Sequence, residues 1–188
     1  MAKVSLTPES RLIMLRPAAL VTCAAGGKSN IITVAMAGSF CWTPAMLAIG
    51  ISLKRYSWEL IKASGEFIVN LAREEQMQAV DLCGAVSGRE VDKWALTGLT
   101  PAPARAVAAP MILECPVNLE CRVSFSRVLG THEIFAGEMV AAQADESVLD
   151  GAGRIDPGKL GLLACVGAEY WDLGRRLESH GFSRRQSK

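Results

Sequence analysis

The sequence has no C-x-x-C pair, no G-x-G-x-x-G, no G-x-x-x-x-G-K-S/T, only two histidines and an aromatic content of 6%. Each absence removes a class of function. The six cysteines, at 23, 41, 83, 115, 121 and 165, are spaced like neither a zinc site nor a disulfide scaffold, so they read as small buried hydrophobes. With only His132 and His180 available, no metal centre is expected. Without a glycine-rich phosphate loop, any nucleotide must be held by another device. Long apolar runs are also missing. The longest, such as residues 160–168, reach about half of the ~20 residues a membrane span requires. Residues 17–25 (PAALVTCAA) imitate the apolar part of a secretory signal, but Arg16 directly precedes them, Glu9 lies upstream and the run is short. A cytoplasmic protein with no membrane partner is expected.

Charge of one sign is lacking too. Lys and Arg number 20 against 19 Asp and Glu, a net charge of +1, so no whole-protein field draws the chain to nucleic acid. By segment the balance is +3 over 1–50, −1 over 51–100, −4 over 101–150 and +3 over 151–188. Any anion site must therefore be a local cluster. Its 188 residues suit one domain, and with half of them hydrophobic the chain can bury a core without staples. The expected organisation is one domain over 1–188, with a core from about 10 to 176 and a basic tail at 177–188.

The pattern is mainly β. Residues 18–24 (AALVTCA), the Gly26-Gly27-Lys28-Ser29-Asn30 turn and the run from Ile31 to Trp42 read as strand, turn, strand. Met46 to Leu53 and Phe67 to Leu71 are further short apolar strands, either buried on both faces or closed into a barrel. Two helices are inserted. One has Ser57 as N-cap, Glu59 in the first turn and Gly65 as its stop; the other runs from Arg73 to Cys83 and ends at Gly84. Residues 97–110, with three prolines, read as an extended loop. Leu119–Val128 and His132–Ala142 form a hairpin through Leu129-Gly130-Thr131, and 150–158 is turn chemistry. At least six strands with two helices make a decorated β-barrel rather than an alternating βαβ sheet.

The most informative stretch is Leu53-Lys54-Arg55-Tyr56-Ser57, where two cations and a hydroxyl stand at a helix start. Helix N-termini present unpaired N–H groups and a positive dipole end, so a phosphate docked here meets donors and charge together. At ~4 Å and an effective dielectric of ~20, each cation–phosphate pair is worth roughly 4 kcal/mol before desolvation. The alternative is a solvated basic turn. Asn30, Thr33 and Ser39 place small polar groups on an apolar strand pair, as suits a planar heteroatom-rich ligand, or serve simply as strand-face residues. The stretch Ser87-Gly88-Arg89-Glu90-Val91-Asp92-Lys93 reads either as a loop that closes over a phosphate or as generic surface. His132 is the candidate proton donor to a bound ring, against a structural role, and Tyr170-Trp171 either stack on a flat ligand or pack in the core.

In their order these pieces resemble the flavin-reductase-like family of FMN-binding split barrels, and within it the flavoredoxin branch. The residues that carry the resemblance are Asn30-Ile31-Ile32-Thr33 with Ser39-Phe40-Cys41, then Leu53 to Ser57, then Gly65 to Asn70. Val86-Ser87-Gly88 with Asp92-Lys93, Gly98-Leu99-Thr100, Leu119 to Val123, His132 with Gly137-Glu138, and Tyr170 with Leu173-Gly174-Arg175 continue it over about residues 10–176. The resemblance implies a mainly β (α+β) FMN-binding split barrel with inserted helices, working as a homodimer with FMN at or near the subunit interface. By the same resemblance Lys54 or Arg55, with Ser57 and Lys93, contact phosphate and ribityl. Asn30, Thr33, Ala35, Met36 and Ser39 lie beside the ring, with His132, as the catalytic candidate, and Tyr170 near it. The isoalloxazine carries redox chemistry itself, so no acid–base triad is needed. The implied activity is an NAD(P)H-dependent flavin reductase or related FMN oxidoreductase. The alternatives are an electron carrier that keeps FMN and exchanges electrons with a partner protein, and a flavin-free barrel.

Overall fold

The computed structural model describes residues 2–5, 7 and 14–184. The expected start of the core at residue 10 and the last four residues of the basic tail lie outside them. In chain order the elements are β1 (Arg16–Pro17), β2 (Ala19–Ala25), β3 (Lys28–Val34), β4 (Ala37–Cys41), β5 (Met46–Ser52), α1 (Tyr56–Ser64) and β6 (Glu66–Leu71). They continue with α2 (Met77–Ala85), α3 (Lys93–Thr97), β7 (Pro101–Ala102), β8 (Met111–Ile112), β9 (Val117–Leu129), β10 (His132–Ala144), β11 (Ala164–Val166) and β12 (Glu169–Trp171).

Seven strands form one antiparallel sheet in the order β3-β2-β6-β9-β10-β5-β4. The two edge strands, β3 and β4, are consecutive in sequence and joined through Ala35 and Met36, so the sheet curls until its edges are tied covalently rather than by a ladder. The run expected as one strand from Ile31 to Trp42 is therefore two. β3 pairs only with β2 and β4 only with β5, because the Met36 carbonyl turns to accept from the Gly50 amide at 2.7 Å.

Alternation along the strands sorts the core. Ala19, Val21, Cys23, Ile32, Val34, Ile49, Ile51, Phe67, Val69 and Phe135 point into the barrel, where α1 adds Leu60 and Ile61. Leu20 and Ile31 face outwards and are covered by Ala79, Val80 and Cys83 of α2 with Leu99, Ile112 and Leu163. β2 and β3 are thus buried on both faces, which is why they read as continuous apolar runs. Close packing fixes Gly137, where an added Cβ would lie 2.9 Å from the Phe67 ring and 3.1 Å from the Arg122 carbonyl. Among the described residues the buried side-chain polar atoms left without a hydrogen-bond partner are Arg16 Nε and Arg73 Nε. Glu133 is 1% exposed; burial alone would raise its carboxyl, but Lys62, Ser126 and Trp58 donate to it at 2.7, 2.6 and 2.6 Å and hold it below the usual range.

Several sequence expectations are corrected. Helix α1 begins two residues early: Arg55 sits at the N-cap without a side-chain cap, and Ser57 lies inside the first turn, fully buried. Gly65 does end that helix, in the left-handed region at φ 68°. Gly84 does not end α2, which runs on to Ala85; its missing side chain instead lets the helix lie against Thr33. α3 was not expected at all, although Asp92 caps it by accepting from the Trp94 and Ala95 amides and Gly98 closes it at φ 69°. The 97–110 segment is a loop as read, except that Pro101–Ala102 pairs with β8. It is strapped down by Glu120 and Glu66, which accept from the Arg105, Ala106 and Ala108 amides.

Beyond the barrel, β1, β11 and β12 make a small three-stranded sheet. Among the described residues no helix is long and apolar enough to cross a membrane. All six cysteines are free, with Cys23, Cys83, Cys115 and Cys121 buried.

Candidate functional site

The strand-to-helix corner at 52–57 lines a cavity of about 340 Å³ together with Asn30, Ile32, Lys93 and the Val86-Ser87-Gly88 loop. Strand β5 ends at Ser52, and the Arg55 amide bonds back to the Ser52 carbonyl at 2.9 Å, so the chain turns sharply into α1. The first-turn amides of α1 therefore face the same corner that Lys54 and Arg55 occupy, with no side chain capping them. Ser57, carried inwards by the helix, accepts from Asn30 Nδ2 at 2.8 Å, which leaves its own proton to donate.

Lys93 is the decisive residue. It is 4% exposed, and its ammonium donates to the Ile31 carbonyl at 2.9 Å and the Cys83 carbonyl at 2.7 Å while lining the cavity. Among the described residues no carboxylate pairs with it. Burial lowers its pKa from the ordinary lysine value, and the nearby Arg55 guanidinium lowers it further against the opposing pull of Cys83. A buried ammonium with spare donor capacity and no counter-ion is costly unless an anion completes it. The thiols beside it do not supply that anion, because burial pushes Cys23 up to about 12 and Cys83 up to about 11.

The far wall is the loop between α2 and α3. Gly88 rests on the Asn30 side chain so closely that an added Cβ would lie 2.1 Å from Oδ1. Outside Gly88, the Arg89 guanidinium donates to the Lys54 carbonyl at 3.0 Å and to Glu59 Oε1 at 2.5 Å, and it lies 5.5 Å from the Tyr56 ring centre. This loop is the flexible polar stretch singled out in the sequence, here fastened to the corner.

Of the residues proposed from sequence, Asn30, Lys54, Arg55, Ser57 and Lys93 line this cavity, and Thr33, Ala35, Met36, Ser39, His132 and Tyr170 do not. Thr33 spends its hydroxyl on the Val80 carbonyl of α2. Ala35 and Met36 form the turn between β3 and β4, with Met36 against Gly50 on the outer face of β5, and Ser39 is exposed on β4. His132 pairs with Ser52 across β10 and β5, so its side chain shares the face of a cavity-lining residue. Its Nδ1 lies 2.9 Å from Thr131 Oγ1. Tyr170 stands on the small sheet, hydrogen-bonded to Asp81 at 3.1 Å; burial, and then that carboxylate, push its phenol up to about 12. The candidate site residues drawn from the sequence did not include Ile32, Ser52, Tyr56 and Val86 of the lining, nor the bridge made by Arg89. Ser52 was findable as the residue preceding the basic pair; the bridge had no local signal.

Among the described residues no helix covers the outer face of β4, β5, β10 and β9. Register places Ser52, Gly50 and Ala48 with His132, Ile134 and Ala136 on that face, and Phe125 opposite Ala136 joins them. Met36, Phe40 and Phe125 are exposed along it, and Trp42 lies in the adjoining turn, 90% exposed. Ser52, on that face, also lines the cavity. Among the described residues no group of three or more His, Cys, Asp or Glu side chains is placed to hold a metal ion.

Comparison with known proteins agrees with this architecture. A crystal structure of flavoredoxin from Methanosarcina acetivorans is similar at a TM-score of 0.91 and 29% identity, covering 99% of each chain. Flavoredoxin of Desulfovibrio vulgaris (Miyazaki F) is similar at a TM-score of 0.86 and 26% identity, over 95% of this chain and 98% of that one. The reductase component of 4-nitrophenol 4-monooxygenase/4-nitrocatechol 2-monooxygenase from Rhodococcus opacus is 30% identical over 125 residues, 66% of this chain and 64% of that one. The barrel is accordingly the split barrel of flavin-reductase-like proteins. The model of the flavin reductase like domain matches residues 11–160, and the chain belongs to that family.

Proposed function

We infer that the protein is an FMN-dependent oxidoreductase of flavin reductase type, taking electrons from NADH or NADPH and passing them to an acceptor. The observation that carries this reading is the buried, carboxylate-free Lys93 ammonium at the floor of a cavity whose other wall is a basic helix N-terminus. That donor set fits a phosphomonoester: Lys93 and Arg55 give charge, the α1 amides give hydrogen bonds, and Ser57 donates its proton. Lys54 contributes from the exposed rim. Asn30 fixes Ser57 in place and, with Ile32 and Ser52, forms the channel that suits a ribityl chain. A bound isoalloxazine would supply hydride-accepting chemistry, which the protein does not need to build from side chains.

The ring end lies towards the mouth, beside Ser52 and His132, where Met36 and the glycine-thinned surface at Gly50 offer a flat apolar wall. His132 brings an imidazole to that end as a hydrogen-bond and proton donor to the ring. A second copy of this chain covers the exposed Met36, Phe40, Trp42 and Phe125 face, excluding water from the ring; contiguous apolar surface of this kind marks a protein contact. A cytoplasmic location, where reduced nicotinamide is at hand, belongs to the same reading.

Stopped-flow mixing of FMN-loaded protein with NADH and NADPH is the test. Rapid bleaching of the flavin band by either supports the reductase, and failure of both removes it. The likeness to flavoredoxins over nearly the whole chain supports one further reading, an electron carrier that retains FMN. A carrier keeps its colour through gel filtration and is reduced by a donor protein faster than by nicotinamides; the reverse order rejects it.

A further inference from the structure

The cavity has one side that the phosphate reading alone does not explain. Three polar contacts from a single side chain, Arg89, are spent outside the pocket, joining the 87–90 turn to the first turn of α1. That turn is tight: the Glu90 and Val91 amides both bond to the Ser87 carbonyl, at 3.1 and 3.2 Å, and the Arg89 amide to Ser87 Oγ at 3.3 Å. Asn30 touches both walls, Ser57 on one and Gly88 on the other. The walls are therefore tied to one another through Asn30 and, by a residue that does not itself line the cavity, through Arg89.

We propose that the Arg89 bridge makes the cavity blind at its cation end and thereby selects a flavin mononucleotide against a dinucleotide. The inference rests on the flavin reading above and deepens it by naming what fixes the class of flavin. A terminal phosphate fits the blind end, since nothing continues beyond it. A diphosphate must carry its second phosphate and nucleoside onwards between Gly88 and Tyr56, through the gap the guanidinium spans. Arg89 acts here as a wall rather than as a ligand. Two of its five N–H donors go to Lys54 and Glu59, and its charge is partnered by the Glu59 carboxylate, whereas that of Lys93 has no such partner among the described residues.

Flavin fluorescence titration with FMN, FAD and riboflavin, on the full chain and on Arg89→Ala and Glu59→Gln, tests this. The unsubstituted protein should bind FMN in preference to FAD. Arg89→Ala should shrink that preference at least about tenfold, by gain of FAD binding, with FMN changed less than about threefold. Glu59→Gln, which loosens the same bridge from the helix side, should move in the same direction, and thermal melts check that both variants are folded. If Arg89→Ala does not fold, Glu59→Gln carries the test alone. Equal binding of FMN and FAD by the unsubstituted protein, or an unchanged preference in the folded variants, overturns the proposal while leaving the flavin reading intact. Loss of FMN binding in Arg89→Ala with riboflavin unaffected also overturns it, by making Arg89 a phosphate ligand. Absence of binding by any flavin to the unsubstituted protein overturns the flavin reading and this inference with it.

Discussion

Replacing Lys93 with Met keeps the length and apolar stem of the side chain and removes only the ammonium. In the folded chain that ammonium is 4% exposed, held by two carbonyls at 2.7 and 2.9 Å and paired with no carboxylate among the described residues. If its remaining donor capacity serves a phosphate, the variant loses one buried charge-assisted contact, about 1.5–3 kcal/mol, or roughly a 10- to 150-fold rise in the Kd for FMN. Riboflavin has no phosphate and should change less than about threefold, so the FMN-to-riboflavin preference is the informative ratio. The apoprotein behaves differently: Met leaves two carbonyls without a donor but removes an uncompensated buried charge, so its melting temperature should move little. The sign of the pH effect follows. Because the Lys93 pKa is depressed in the fold, raising the pH through that depressed value discharges the lysine while it is still charged in the unfolded chain. FMN affinity should fall across that window, below the ordinary lysine range, and the Met variant should lack the fall. Isothermal titration at several pH values measures all of this. An unchanged FMN-to-riboflavin ratio in Lys93→Met would refute the reasoning.

Four further outcomes are expected. Arg55→Ala should weaken FMN more than Lys54→Ala, because Arg55 is the cation whose field reaches Lys93; fluorescence titration at two salt concentrations checks it, and the reverse order would place the phosphate nearer the rim. Gly88→Ala should break the Asn30–Ser57 contact, since its Cβ would lie 2.1 Å from Asn30 Oδ1, and should lower both flavin affinity and melting temperature. Glu133→Gln weakens three hydrogen bonds to a buried carboxylate and should cost about 1–3 kcal/mol in urea unfolding at neutral pH. The Glu133 contribution is present above its unfolded pKa and is lost as the pH falls through the lower folded value, so the difference between the two proteins should narrow in acid. His132→Ala should slow flavin reduction in stopped flow more than it loosens FMN, and a variant that simply loses the cofactor would contradict that division.

What the sequence made legible was what is local. The basic corner at 53–57 could be found because helix starts carry caps and dipoles within a few residues, and Gly65 marks a real helix end, whereas the helix that Gly98 closes was not expected. Ser57 was misplaced because a serine ahead of Trp-Glu reads as a cap, whereas here the hydroxyl is worth more as a buried acceptor for Asn30, 27 residues away in sequence. The division between β3 and β4 is invisible in composition, since both halves are β-like and only the pairing partners differ. Lys93 was a candidate by resemblance, but its burial follows from α2, α3 and β3 closing around it. A lysine beside an aspartate cap otherwise looks solvated. Arg89 was visible only as part of the 87–93 loop, because its bridging role comes from contacts 30 and 35 residues distant.

The central claim is that a buried ammonium and a helix N-terminus together hold a flavin phosphate. Equilibrium dialysis of the purified chain against FMN, followed by its visible spectrum, tests it most directly. The account predicts a retained flavin band at one FMN per chain, shed far more readily by Lys93→Met. A colourless protein after dialysis, with no FMN-induced rise in melting temperature, would contradict it.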